Sequence, residues 1–153
     1  MLLALYTFGQ FRRMATAPEN DGFHARNDAN FAAAEASAGF VARSGYADEP
    51  GPESWGPQVY PRFHVERGDG RAPSLSPWID IEAAMAFSYG DIHADAVRHG
   101  RAWFVEPEWP PYAAWWTDDR PTWSEAIVRH EHLADFGSTP SRSTSRPRSI
   151  PLV

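Results

Sequence analysis

Ala72-Pro73-Ser74-Leu75-Ser76-Pro77-Trp78 runs, across Ile79, straight into Asp80-Ile81-Glu82-Ala83-Ala84-Met85. The first piece reads as a strand that its two prolines confine to a sheet edge or a strand end, because proline has no N–H to give to a ladder. In the second, Asp80 stands where a helix cap is needed. The spacing predicts one long helix from Asp80 to about Phe104. Ile81, Met85, Tyr89, His93 and Val97 share its apolar face, and Gly90 offers a place for a kink.

Upstream, Leu2 to Phe11 is free of charge and alternates smaller with larger apolar residues, as a strand buried on both faces does. Asn20 to Ser37 is alanine-rich and helical in spacing, with Asn20 or Asp21 available as cap, an inward stripe containing Phe23, Asn27, Asn30 and Phe31, and Gly39 as its end. Phe40 to Tyr46 reads as a second strand, and the run from Pro50 to Pro61 as a long turn. Gln58 to Glu66 and Ala72 to Trp78 flank Gly68-Asp69-Gly70, a hairpin-type turn. Downstream, Pro107 to Pro111 breaks the chain, Tyr112 to Thr117 reads as an aromatic strand, and Trp123 to Phe136 as a helix. Residues 1–137 thus form one domain, and the Ser/Arg/Pro-rich tail from Ser138 to Val153 has too little apolar content to pack, so disorder is expected there.

Strand, helix, strand, strand, helix, strand is the order of a ferredoxin-like βαββαβ unit, here with an antiparallel sheet and an extra C-terminal helix. The expected class is α+β.

Composition narrows the function. The chain of 153 residues has no cysteine, which excludes disulfides, iron–sulfur clusters and a cysteine nucleophile. All fourteen basic residues are arginine, and three of them lie in the tail. Eleven arginines against twenty acids leave the body at −9, which disfavours nucleic acid. No stretch approaches the roughly 20 apolar residues that span a bilayer. With no basic leader before Met1 to Phe11, the expectation is a cytoplasmic protein without a membrane partner.

His93 is the most informative single residue. On the apolar face of the long helix it points at the sheet, and a buried imidazole must be hydrogen-bonded or liganded. Three readings stay open: a core histidine bonded to a carbonyl, a general acid or base, or a haem or metal ligand. Tyr89, one turn before, and Asn27 could orient a substrate or stabilise a developing oxyanion. His24 lies beside Asn27 and could reach the same pocket. His99 is about 240° round the helix from His93 and cannot share a metal with it. His130-Glu131-His132 has i, i+2 spacing, whereas zinc on a helix needs i, i+4, so the run reads as helix surface.

Seven tryptophans and nine phenylalanines exceed what a core of this size needs. They suit a homodimer in which the sheets of two subunits face each other, or a pocket for a flat hydrophobic molecule. Trp78, Phe31 and Trp116 are its candidate walls. Dinucleotide, phosphate-loop, nucleophile-elbow and zinc signatures are absent.

Ser74-Leu75-Ser76-Pro77-Trp78, Ile92-His93-Ala94-Asp95, Arg101-Ala102-Trp103-Phe104, Ala114-Trp115-Trp116, Glu131-His132-Leu133 and Gly137-Ser138-Thr139-Pro140 together resemble a bacterial family of unknown function. That family is similar to the dimeric α/β-barrel superfamily, which includes antibiotic-biosynthesis monooxygenases. The resemblance implies acid/base chemistry on an aromatic or polyketide-like compound without a bound organic cofactor. It also permits a haem protein with His93 as ligand, or a non-catalytic dimeric binding module.

Overall fold

The computed structural model describes residues 1–65 and 70–138. Its elements in chain order are β1 (Leu2–Gln10), a short 3-10 turn (Pro18–Asn20), α1 (Asp21–Glu35), β2 (Arg71–Trp78), α2 (Ile81–Ser88), α3 (Asp91–Trp103), β3 (Tyr112–Thr117) and α4 (Trp123–Phe136). The sheet is antiparallel in the order β2-β1-β3. β1, uncharged, takes the centre. Its Tyr6 lies opposite Leu75 on one side and Ala113 on the other.

Because side chains alternate across a strand, β1 serves two cores at once. Ala4, Tyr6 and Phe8 are buried on one face, where Trp55, Leu75, Trp115, Trp123 and Ala126 join them. Leu3 on the other face packs with Trp78, Ala34 and Ala84 beneath the helices. The surplus of aromatic residues is thereby absorbed: Trp55, Trp78, Trp103, Trp115 and Trp123 are all buried within this one chain. A pairing of two bare sheet faces therefore loses its premise. α4 and the segment leading to Trp55 cover the face that a partner's sheet was expected to cover.

The strand expected over Phe40 to Tyr46 sits in its expected place beside β2 but forms no ladder, only a bridge between Phe40 and Trp78. The reason lies in β2. The carbonyls of Pro77, Leu75 and Pro73 point to this edge and accept from Val41 N–H (3.1 Å), Ser44 N–H (2.9 Å) and Tyr46 Oη–H (2.7 Å). Two of those three positions are prolines and have no N–H to return the bond, so the pairing is one-sided. Edge segment, β2, β1, β3 is the strand order of a ferredoxin-like unit, with α1, α2 and α3 on one face and α4 added on the other.

Three further expectations are corrected. Gln58 to Val65 is irregular rather than a strand, and Gly68 and Asp69 of the expected turn lie outside the described residues, as does the tail from Thr139. Asn20 occupies the cap position of α1, but its amide donates to the Met14 carbonyl (2.9 Å) and does not cap the helix. The long helix is two helices. Asp80 caps α2 by accepting from Ala83 N–H (2.8 Å). Gly90, extended at φ −63° and ψ 148°, breaks the chain and opens α3.

Candidate functional site

The break at Gly90 creates the site. The C-terminal half of α1, α2 and the first turn of α3 enclose an open groove of about 420 Å³. Its floor is methyl groups: Ala33 and Ala38 from α1 and its end, Ala83 and Ala86 from α2. Alanine there satisfies helix propensity while leaving space that larger apolar side chains would fill. Phe87 and Ile92 add apolar wall, and Ser37, Asp91 and His93 are the polar members.

His93, half-buried, tilts against the ring of Phe87 at 5.0 Å between centroids, and Phe87 in turn stacks on Trp78 at 5.4 Å. Nδ1 of His93 lies 2.9 Å from the Ser88 carbonyl oxygen. A carbonyl only accepts, so the bond requires the proton on Nδ1 and leaves Nε2 of the neutral ring with its lone pair. Among the described residues Nε2 has no hydrogen-bond partner. The groove thus has an apolar floor and one imidazole on its wall.

The other expected site residues lie elsewhere. Trp78 is behind Phe87, fully buried, with its indole N–H on Ser76 Oγ at 2.9 Å. Tyr89 caps the end of α2 with 47% of its surface exposed, because Gly90 breaks the helix and the four-residue spacing no longer brings Tyr89 and His93 to one face. Asn27 and Phe31 are half-buried on α1 and do not line the groove, and an Arg43 guanidinium covers the Phe31 ring at 4.0 Å. His24 is exposed and bonds the Ala15 carbonyl through Nε2 at 2.7 Å. Trp116 projects from β3 and is 39% exposed. The groove beside His93 therefore lies between helices and not between one long helix and the sheet.

His130 corrects the sequence reading most sharply. It is fully buried, not on the helix surface, while His132 is exposed. The signal was the stripe Trp123, Ala126, His130, spaced for one helical face, which outweighs the local His-Glu-His pattern. Burial lowers the His130 pKa below its usual value, an effect partly offset by the Pro110 carbonyl bonded to it.

Haem does not suit the groove. Its propionates call for cationic partners, whereas Asp91 and Ser37 are what accompany His93 and no arginine lines the walls. Among the described residues no cluster of three or more His, Asp or Glu could hold a metal ion. No helix among them is long and apolar enough to cross a membrane.

A domain of unknown function, DUF3291, matches residues 2–151, nearly the whole chain and most of its tail. The chain belongs to the DUF3291 family. No curated protein matches this DUF3291 chain with significance. Among solved structures it is similar to a cofactor-independent oxygenase from Streptomyces nogalater, at 10% identity over 78% of this chain and 95% of that one, with a TM-score of 0.49. A protein from Pseudomonas aeruginosa shows 12% identity over 76% of this chain and 93% of that one, also at 0.49. A protein of unknown function from Nitrosomonas europaea shows 13% identity over 79% and 95%, at 0.46.

Proposed function

We propose that this DUF3291 protein binds a small, flat, hydrophobic compound in the groove beside His93, and that His93 Nε2 removes or returns a proton on it. The observation that carries the reading is the bond from His93 Nδ1–H to the Ser88 carbonyl, which fixes the tautomer and leaves Nε2 as the acceptor. A conjugated aromatic or polyketide-like substrate suits this arrangement. When its C–H proton passes to Nε2, the electron pair is held by the substrate's own π system, so the step needs no organic cofactor. Monooxygenase-like or cyclase-like chemistry would begin in this way.

Self-association belongs to the same reading but at a different surface. Ala114 and Trp116 are exposed on β3, whose outer edge no described strand pairs, and an apolar edge strand is a natural contact for a second copy.

The test is hydrogen–deuterium exchange at the acidic carbon of a bicyclic aromatic ketone such as 2-tetralone, followed by proton NMR in heavy water. Wild type should accelerate exchange, and His93→Gln should bring the rate to the buffer background while keeping the fold. Equal rates for both proteins would leave a binding module in place of an enzyme.

A further inference from the structure

On the opposite face of the sheet, three rings from two segments surround His130: Tyr6 and Phe8 of β1 at 5.3 Å and 6.5 Å, and Phe63 at 5.8 Å between centroids. Nε2 of His130 lies 2.6 Å from the Pro110 carbonyl oxygen, so it is Nε2 that carries the proton. The ring is buried and its pKa is pushed down, so it is neutral near pH 7 and Nδ1 is a bare lone pair. Among the described residues that Nδ1 has no donor, although it is buried. Tyr6 presents the complement. Its hydroxyl is also buried and without a partner among the described residues, and burial raises its pKa, so it keeps its proton.

A buried donor and a buried acceptor on adjacent rings, each unmet, are together a binding site rather than two coincidental defects, since native cores leave few such groups unpaired. The chemistry of a fitting occupant follows. It must accept from Tyr6 Oη–H and donate to His130 Nδ1. A carboxylate cannot donate, and an ammonium cannot accept. The nearby cation, Arg62, is already engaged by Glu131 and Asp135. A neutral hydroxyl does both.

We propose that Tyr6 and His130 form an interior site for one neutral hydroxyl oxygen, held between Tyr6 Oη as donor and His130 Nδ1 as acceptor. Two sources share that chemistry, a water molecule and the hydroxyl of a small alcohol or phenol. The site is distinct from the His93 groove, which lies across the sheet, and stands whether or not the groove is catalytic.

The first measurement is a high-resolution crystal structure of the full chain. A single oxygen peak within hydrogen-bond distance of both atoms is expected. An empty gap, or a direct Tyr6–His130 hydrogen bond, overturns the proposal. The second is imidazole nitrogen NMR, which needs no variant. Nδ1 of wild-type His130 should show the shift of a hydrogen-bonded acceptor, and a bare-nitrogen shift contradicts the proposal. Added phenol separates the sources: a saturable change in that resonance identifies an exchangeable alcohol site, and no change together with the oxygen peak identifies water. Tyr6→Phe provides a third reading. It should lower the melting temperature by roughly 3 °C or more if a bridge is lost, whereas removing an unbridged hydroxyl would leave it unchanged or raise it.

Discussion

His93 and Ser88 face each other across the break between two helices, with Nδ1 of the imidazole 2.9 Å from the carbonyl oxygen. Ser88 ends α2, and its carbonyl therefore lacks the partner a continuing helix would have given it. The same break that frees the carbonyl also lets His93 turn back to it. One glycine thus links an orphaned backbone acceptor, a defined tautomer and an open groove.

His93→Gln should separate binding from chemistry. Glutamine fills the half-buried position but sets its amide nitrogen where the ring has Nε2, so the bond to Ser88 is lost and stability should fall by about 1 kcal/mol. Exchange at a substrate carbon should fall to background, while retention of a neutral naphthol probe, read by its fluorescence, stays within about twofold. Loss of the probe together with the exchange would mean that the imidazole is packing rather than base.

Ala86→Trp should block the groove without disturbing the core, since Ala86 is exposed and lines it. Probe binding should drop at least about tenfold, with stability held within roughly 0.5 kcal/mol as for other surface changes. Undiminished binding would place the ligand somewhere else.

The pattern along the chain revealed elements better than it revealed their partners. β1, β3 and α4 follow from local alternation or helical spacing, and Asp80 was readable as a cap because capping involves only the next three residues. Some of the failures depend on something distant, others on a local signal outweighed by another. Whether Phe40 to Tyr46 forms a ladder is decided by the missing N–H groups of Pro73 and Pro77, far along the chain. His93 was identified as the residue to watch, yet its neighbours were misplaced once Gly90 became a full break instead of a kink. The spacing to His132 hides His130, although Trp123 and Ala126 on the same stripe mark it as inward-facing. The expected pocket walls at Trp78 and Trp116 failed for a related reason: aromatic content says how much must be buried, not against what.

Stability should depend on pH through His130. Its pKa in the folded protein is depressed by burial below the usual 6.5, so between the two values the unfolded chain binds more protons than the folded one. The stabilisation is present above 6.5 and is lost as pH falls through the folded value. Urea unfolding at about pH 7.5 and about pH 5.5 should show wild type losing more than His130→Gln, which keeps a donor for Pro110 but does not titrate. Parallel losses in both proteins would assign the effect to other groups.

Gly39 is the position where the smallest change should do the most damage. It ends the α1 segment at φ +84°, a conformation that side-chain-bearing residues seldom adopt, and its carbonyl accepts from Ile79 N–H at 2.8 Å. A Cβ there would stand 2.5 Å from Ala83 Cβ and 2.7 Å from Ile79 Cγ1. Neither neighbour can yield easily. Ala83 has no rotamer to change and sits in the first turn of α2, where its N–H is held by Asp80, and the backbone bond from Ile79 to Gly39 keeps the Ile79 Cα at this junction even if its exposed side chain turns away. Gly39→Ala must therefore push the end of α1 away from α2, which costs about 2 kcal/mol or more between backbone strain and overpacking. Because Ala38 and Ala83 line the groove on either side of this contact, the same displacement should deform the binding surface. Urea unfolding and naphthol titration of the variant should show both losses together. A stable Gly39→Ala protein with weakened binding would mean that the two helices move apart freely. A stable one with unaltered binding would show that the groove does not depend on this junction.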